Sequence, residues 1–222
     1  MHLSDNFRLA LGDYVWLLEK KYPEKSIHEL VSTHYALNHF ERSMLYRGIA
    51  PKGKAIARKS RLITIEQLNN RTLHIDLFNA LFTIAAYLRG FPVYLSNDGL
   101  LRDASESHDS HEWVDHLEKA LVLLLEHIDG LSNHKVVFYL DNPLHLSGYV
   151  AKEIEKRSGL FKVETEVISH KSPDHLIRKA ADGVLATSDS TIIDRSDLPV
   201  FDLPCYILVK AYEPKFLDLA GL

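Results

Sequence analysis

The sequence predicts an α/β protein: a mostly parallel sheet flanked by helices, preceded by a small all-helical unit. Three observations predict it. From Thr72 onward, apolar runs with strand character alternate with helical stretches. Three of those runs, Leu73-His74-Ile75-Asp76, Val136 to Asp141 and Val184 to Asp189, end in aspartate where a helix should begin. The first fifty residues, by contrast, carry only helical periodicity.

Taken in order, Phe7, Leu9, Ala10, Tyr14, Leu17 and Leu18 recur at helical spacing until Tyr22-Pro23 breaks the pattern. Ser26 with Glu29 has the capping-box signature, ahead of Leu30, Val31 and Leu37. A third short helix is expected over 42–47, ended by Gly48 and Pro51. Residues 61–68 read equally as a strand or a linker turn. The boundary falls near residues 50–70, giving 1–60 as a helical domain with a basic C-terminal segment and 61–222 as the α/β domain. Beyond it come a strand at 72–76, an apolar helix over 77–88 stopped by Gly90, and a strand at 93–95. An amphipathic helix over 109–128 follows, with Trp113, Leu117, Leu121, Leu124 and Ile128 along one stripe. A strand at 135–140, a helix over 147–157, a strand at 161–168, a helix over 173–180, a strand at 183–187 and a short one near Val200 complete the series.

Of the 222 residues, 46% are hydrophobic and 25% charged, a globular composition that argues against disorder. The chain shows no signal-peptide pattern and no apolar stretch near the roughly 20 residues of a membrane span, so a cytoplasmic protein without membrane contact is expected. The single cysteine, Cys205, excludes an internal disulfide and any Cys-rich zinc module. Its apolar neighbours, Leu203 to Leu208, mark it as a buried thiol rather than a nucleophile.

Charge is distributed unevenly. Residues 1–70 hold 11 Lys/Arg and 7 Asp/Glu, net +4, against −8 for the remainder. Arg42, Arg47, Lys52, Lys54, Arg58, Lys59 and Arg61 follow one another without an acid. Such a run can neutralise phosphates and release counterions; equally, it can be a solvated connector around Pro51-Lys52-Gly53-Lys54.

If the three aspartate-ending strands are parallel, Asp76, Asp141 and Asp189 share the C-terminal edge of one sheet, where open α/β sheets bind ligands. Convergent carboxylates without thiolates suit Mg²⁺ or Mn²⁺. Asp103 and Asp194 are candidates to complete the metal shell. Asn79, Arg102, Ser147 and Ser188 are candidates for the phosphate, with Lys52 and Lys54 for a nucleic-acid backbone. At Ser147-Gly148, N–H groups at a helix start can receive a phosphate. Each acid also has a plain structural reading: Asp76 and Asp189 as helix caps, Asp98-Gly99 as a turn, and Ser147 as the cap of its helix. His108, His111, Glu112 and His116 cluster near a helix start without the convergence a zinc site needs.

Ile75-Asp76-Leu77-Phe78-Asn79 and Thr187-Ser188-Asp189-Ser190 resemble the first and last acidic motifs of PIN-like and NYN nuclease domains, over roughly residues 70–200. That resemblance implies a Rossmann-like (PIN-like) sheet whose strand-end acids bind Mg²⁺ or Mn²⁺ for phosphodiester hydrolysis. The whole chain resembles an uncharacterised bacterial and archaeal family that joins a short helical domain to this α/β domain. Its marks here are Glu41-Arg42 with Arg47, Ile75 to Asn79, Asp98 to Asp103, Leu140 to Pro143 with Ser147-Gly148, and Ala186 to Ser190 with Ile193-Asp194. Two departures stand out. Leu77 replaces the glycine usual after the first aspartate of NYN motifs, and Ser190 and Thr191 stand where a second acid follows the last motif; both imply a weaker metal site, or one that binds without cutting.

The resulting expectation is a metal-dependent phosphodiesterase acting on RNA or another nucleic acid. The alternatives are a non-catalytic nucleotide- or RNA-binding protein using the same crevice, and a phosphatase acting on a small metabolite.

Overall fold

The computed structural model describes residues 3–105, 113–131, 135–141, 147–159 and 161–222. Four helices come first: α1 (Asp5–Glu19), α2 (Glu24–His34), α3 (His39–Gly48) and α4 (Lys52–Lys59). Phe7, Ala10, Leu11, Tyr14 and Leu18 form the buried stripe of α1, while Leu9, which spacing assigns to that stripe, faces solvent. Ser26 and Glu29 make no capping box, because α2 already begins at Glu24 behind Pro23. The box belongs to α3: Asn38 Oδ1 accepts the Glu41 N–H at 3.0 Å and Glu41 Oε2 accepts the Asn38 N–H at 3.2 Å. Glu41 Oε1 also accepts the Ser4 N–H at 3.0 Å, so one buried carboxylate ties the start of α1 to α3. Residues 52–59 are a helix with Ala55 and Arg58 buried, rather than a solvated connector. Within 61–68 both readings are partly realised: Leu62 forms a parallel bridge to Val200, and a 3-10 turn follows at Ile65–Gln67.

The main sheet holds β1 (Thr72–Asp76), β4 (Lys135–Asp141), β5 (Glu164–His170) and β6 (Val184–Ala186), all parallel, in the order β5-β4-β1-β6. Helix α5 (Leu77–Leu88) follows β1 directly; α6 (Val114–Ile128), α7 (Ser147–Ser158), α8 (Pro173–Ile177), α9 (Ser190–Ile193) and α10 (Leu203–Tyr212) complete the helices. Leu73, Ile75, Val136, Phe138, Leu140, Val184 and Ala186 point into the core shared with α5, α6, α7 and α10. Val137, Tyr139 and Leu185 point the other way, onto Ile177, Ile192 and Ile193. Burial on both faces explains why these strands read as continuous apolar runs rather than alternating ones.

A second sheet, β3-β2-β7, joins β2 (Val93–Leu95) antiparallel to β3 (Leu101–Asp103) and parallel to β7 (Leu217–Asp218). Its Tyr94, together with Ala104, Leu217 and Leu219, packs into the core of the N-terminal helices. Tyr94 and Leu219 lie so close to Gly48 that a Cβ there would stand 2.6 Å from each. The helical unit therefore shares its core with residues from the α/β region. Among the described residues, no helix is long and apolar enough to cross a membrane.

Candidate functional site

From β1 the chain builds outward through β4 to β5, then returns to β6 on the opposite side of β1. The crevice beyond the carboxyl ends of β1 and β6 is thus the topological switch point, where open α/β sheets take ligands. Ile75 pairs with Ala186 in register, which brings Thr187 level with Asp76. The Thr187 hydroxyl donates to Asp76 Oδ2 at 2.8 Å and accepts the Asp189 N–H at 3.1 Å. Asn79, on the first turn of α5, accepts from both the Ser188 N–H (2.9 Å) and the Ser188 hydroxyl (3.1 Å) through Oδ1. The motif after β1 and the motif after β6 are thereby clamped to each other, and the Asn79 amide NH2 is left without a partner among the described residues.

Asp76 occupies the N-cap position of α5 without making a capping hydrogen bond of ordinary geometry. The residue as a whole is half-buried, and loss of water around its carboxyl pushes the pKa up to about 7; the Thr187 hydroxyl opposes the rise, and the charges of Asp174 and Asp189 add to it. Asp189 does cap: its Oδ1 accepts the Thr191 N–H at 2.6 Å, at the start of α9. Asp76 is level with Tyr139 in β4, so Asp141 lies two residues farther out along the edge, about 7 Å at strand rise. Its Oδ1 is buried without a hydrogen-bond partner among the described residues, and its pKa is raised by desolvation and by Asp174. Asp174, on α8, lacks the strand-end signature; its place two residues after Ser172, at the start of the helix that follows β5, was the available cue. Among the described residues, no Lys or Arg forms an ion pair with Asp76, Asp141, Asp174 or Asp189. Nor do any three His, Cys, Asp or Glu side chains there stand close enough to hold one metal ion between them.

The structure sets several predicted site residues apart from this cluster. Asp103 is buried: its Oδ1 accepts from the Ser105 N–H at 3.1 Å and from the Ser105 hydroxyl, 3.8 Å from Arg47. Asp194 is held by Arg58 through two contacts, at 2.7 and 2.9 Å, and by Lys54 at 3.0 Å. The hydrogen bonds from Arg58 lead the effects that hold its carboxyl down at about 2. Arg102 grips both oxygens of Asp98 (2.8 and 2.9 Å), donates to Ser96 Oγ, and sends Nε and Nη2 to the Ser188 carbonyl (3.1 and 2.9 Å). With all five guanidinium N–H groups engaged, Arg102 has none left for a phosphate and instead positions the Ser188 loop. Buried Asp98 also pairs with Arg58 at 3.1 Å; these partners outweigh its desolvation and hold its pKa at about 2. Ser147 is buried, its hydroxyl donating to the Asp141 carbonyl, and so ties α7 to β4.

The basic run is largely occupied internally, by carbonyls as well as by acids. Arg42 donates to the Leu37 and Ser32 carbonyls, Arg47 to Ser105, Arg61 to Ile193 and Leu198, while Lys54 and Arg58 hold Asp194. Except for those of Arg42, the partners lie far away in sequence, so the run looks unopposed when read locally. Lys52 stays exposed on α4 and is not among the residues that line the cleft beside the acids. Of the histidine group, His108, His111 and Glu112 lie outside the described residues, and His116 sits on α6 with a buried Nδ1 that has no partner among the described residues. Cys205 lies on α10, half-buried, its thiol pushed up to about 12 by burial and then by Asp202.

Beside the acids, a cleft of about 720 Å³ separates the helical unit from the segment after β6. Tyr46, Arg47 and Lys54 line one wall; Asn79, Asp189, Ser190 and Arg195 line the other. Asn79 and Asp189 thus belong to both the cleft and the acid cluster.

The fold and site define a parallel α/β domain with a polar switch-point crevice, roofed by a helical unit. Residues 65–206 match the family described as "Domain of unknown function (DUF5616)", and the chain belongs to it. Residues 6–61 match a second, "Protein of unknown function (DUF434)". An uncharacterized protein of Methanocaldococcus jannaschii is 30% identical over 184 residues, covering 83% of this chain and 87% of its own length.

Proposed function

We propose that the protein is a Mg²⁺- or Mn²⁺-dependent phosphodiesterase whose reaction centre is the crevice between β1 and β6. The observation that carries this reading is the acid cluster: four aspartates at one sheet edge, uncompensated by any Lys or Arg among the described residues, with Asp76 held near neutral pKa. Structural carboxylates normally acquire cationic partners, as Asp98 and Asp194 do here, whereas Asp189 has its capping N–H and no cation among the described residues. Unpaired acids with perturbed pKa values in a crevice favour a functional role.

The donor set is all oxygen, which suits Mg²⁺ or Mn²⁺ rather than zinc. Mg²⁺ commonly keeps several waters and takes one or two carboxylates plus substrate phosphate oxygens, so a three-carboxylate cage is not required. Asp76 and Asp189 would hold it, with Asp141 and its orphaned oxygen alongside. A bound cation would polarise the phosphate and lower the pKa of water. Asn79, through its open NH2, would orient the phosphate, while Thr187 keeps the Asp76 carboxylate aimed into the crevice.

A second reading, a small-molecule phosphoesterase, draws support from the occupied basic run, which leaves few cations for a long nucleic-acid backbone. The test compares hydrolysis of bis(p-nitrophenyl) phosphate and p-nitrophenyl phosphate, with and without Mn²⁺. Mn²⁺-dependent cleavage of the diester, lost in Asp76→Asn and Asp189→Asn with unchanged circular dichroism, is expected. Preference for the monoester would favour the second reading, and full activity in either variant would overturn the assignment of these acids.

A further inference from the structure

We propose that the cleft between the helical unit and the sheet edge binds a nucleoside phosphate, with Tyr46 as the platform for the base and Arg195, Arg47 and Lys54 receiving the phosphate. This names the substrate class of the acid cluster and rests on the reading above for what is cut; the binding itself does not depend on it. Four observations lead there.

The cleft volume, about 720 Å³, falls within the range of small-ligand sites. Its lining carries five cationic side chains against three carboxylates, and one of those three, Asp194, is already paired to Arg58 and Lys54. Among the cations, Arg58 and Arg102 are locked in buried pairs, but Arg195 has no side-chain partner among the described residues. Arg47 gives Nη1 to the Ser105 carbonyl and keeps other donors, and Lys54 is exposed with one carboxylate contact.

Tyr46 supplies what a plain phosphate site would lack. It is 42% exposed on the cleft wall, with its ring 5.0 Å from that of His28. An open aromatic face stacks on any base, because every base has a π-face. Asn79 and Asp189 join the cleft to the acid cluster, so a phosphate reaching from Arg195 toward Asp189 arrives beside Asp76.

The experiment is calorimetric titration in excess EDTA, so that no cation-dependent chemistry contributes. Wild type, Tyr46→Ala and Arg195→Ala are each titrated with adenosine monophosphate, ribose 5-phosphate and a 5′-phosphorylated RNA trinucleotide. Wild type should bind adenosine monophosphate more tightly than ribose 5-phosphate. Tyr46→Ala should weaken the nucleotide about tenfold, as loss of one stacked base does, and leave ribose 5-phosphate unchanged. Arg195→Ala should weaken both. Tighter binding of the trinucleotide assigns the end of a nucleic-acid strand, and equal binding assigns a free nucleotide; either supports the site, provided the Tyr46 dependence holds. Absence of nucleotide binding by wild type, or equal binding by Tyr46→Ala, overturns it. Nucleotide binding without Mn²⁺-dependent turnover would instead leave this site standing and remove the catalytic reading.

Discussion

Replacing Asp76 by asparagine should stabilise the fold, and only at high pH. In the folded protein the carboxyl is raised from 3.8 to about 7, so the native state binds this proton more tightly than the unfolded chain does. A raised acid makes stability fall as pH increases from the unfolded value to the folded one. At about 1.4 kcal/mol per pH unit, the ceiling is about 4 kcal/mol. Because the residue is only half-buried, we expect about half of it, roughly 2 kcal/mol. Asparagine can still accept the Thr187 hydroxyl, so the bond that aims the side chain survives while the charge is lost. In urea unfolding in EDTA, wild type and variant should be nearly equal at about pH 4. By about pH 8 the variant should lead by about 1 M in midpoint, at a slope near 2 kcal/mol/M. Adding Mn²⁺ should close that gap by stabilising wild type alone, since a ligand that binds only the native state raises its stability. A variant that is less stable than wild type at both pH values would refute the reasoning and make Asp76 a structural cap.

Two structural predictions concern the scaffold around the site. Arg58→Met should cost about 2 kcal/mol, below the 3–5 of a fully orphaned buried charge, because Asp98 keeps Arg102 and Asp194 keeps Lys54. Both acids are held at about 2 in the folded protein, so that loss should be full above about pH 4 and fade as pH falls toward 2; a pH-independent difference in denaturation would contradict it. Gly183→Ala should destabilise by more than about 2 kcal/mol: the residue has φ +99°, and a Cβ would stand 2.5 Å from the Thr72 carbonyl. A thermal unfolding midpoint within a degree of wild type would show that β6 can shift.

What the sequence disclosed, and what it hid, follows the range of the interactions involved. The parallel strands β1, β4 and β6 were legible because burial on both faces makes each an apolar run, and the aspartates mark where each leaves the core. Strand β3 was not, since Arg102 and Asp103 look like surface charges until their partners Asp98, Ser96 and Ser105 are known. Helix α10 was hidden by its brevity and by Pro204 at its first turn, which reads as a break but suits a helix start. The basic run looked like a grip for nucleic acid because Asp194, which holds Lys54 and Arg58, lies 136 to 140 residues away. Asp76, Asn79, Ser188 and Asp189 do meet as their motifs suggest, whereas Asp103 and Asp194 serve other networks. No local pattern could have revealed strand order, and hence that the first and last acidic motifs are neighbours while β1 stands between Asp141 and Asp189.

Tyr94 and Leu219 filling the core beneath α3 have a consequence for how this molecule can be divided or recombined. The two family matches meet between residues 61 and 65, a natural place to cut on paper. A helical fragment released there would lose Tyr94, Ala104, Leu217 and Leu219 from its interior, and the complementary fragment would expose them. Grafting the helical unit onto another sheet would require the second sheet to travel with it, so natural or engineered shuffling should treat residues 1–60, 93–104 and 217–219 as one heritable block.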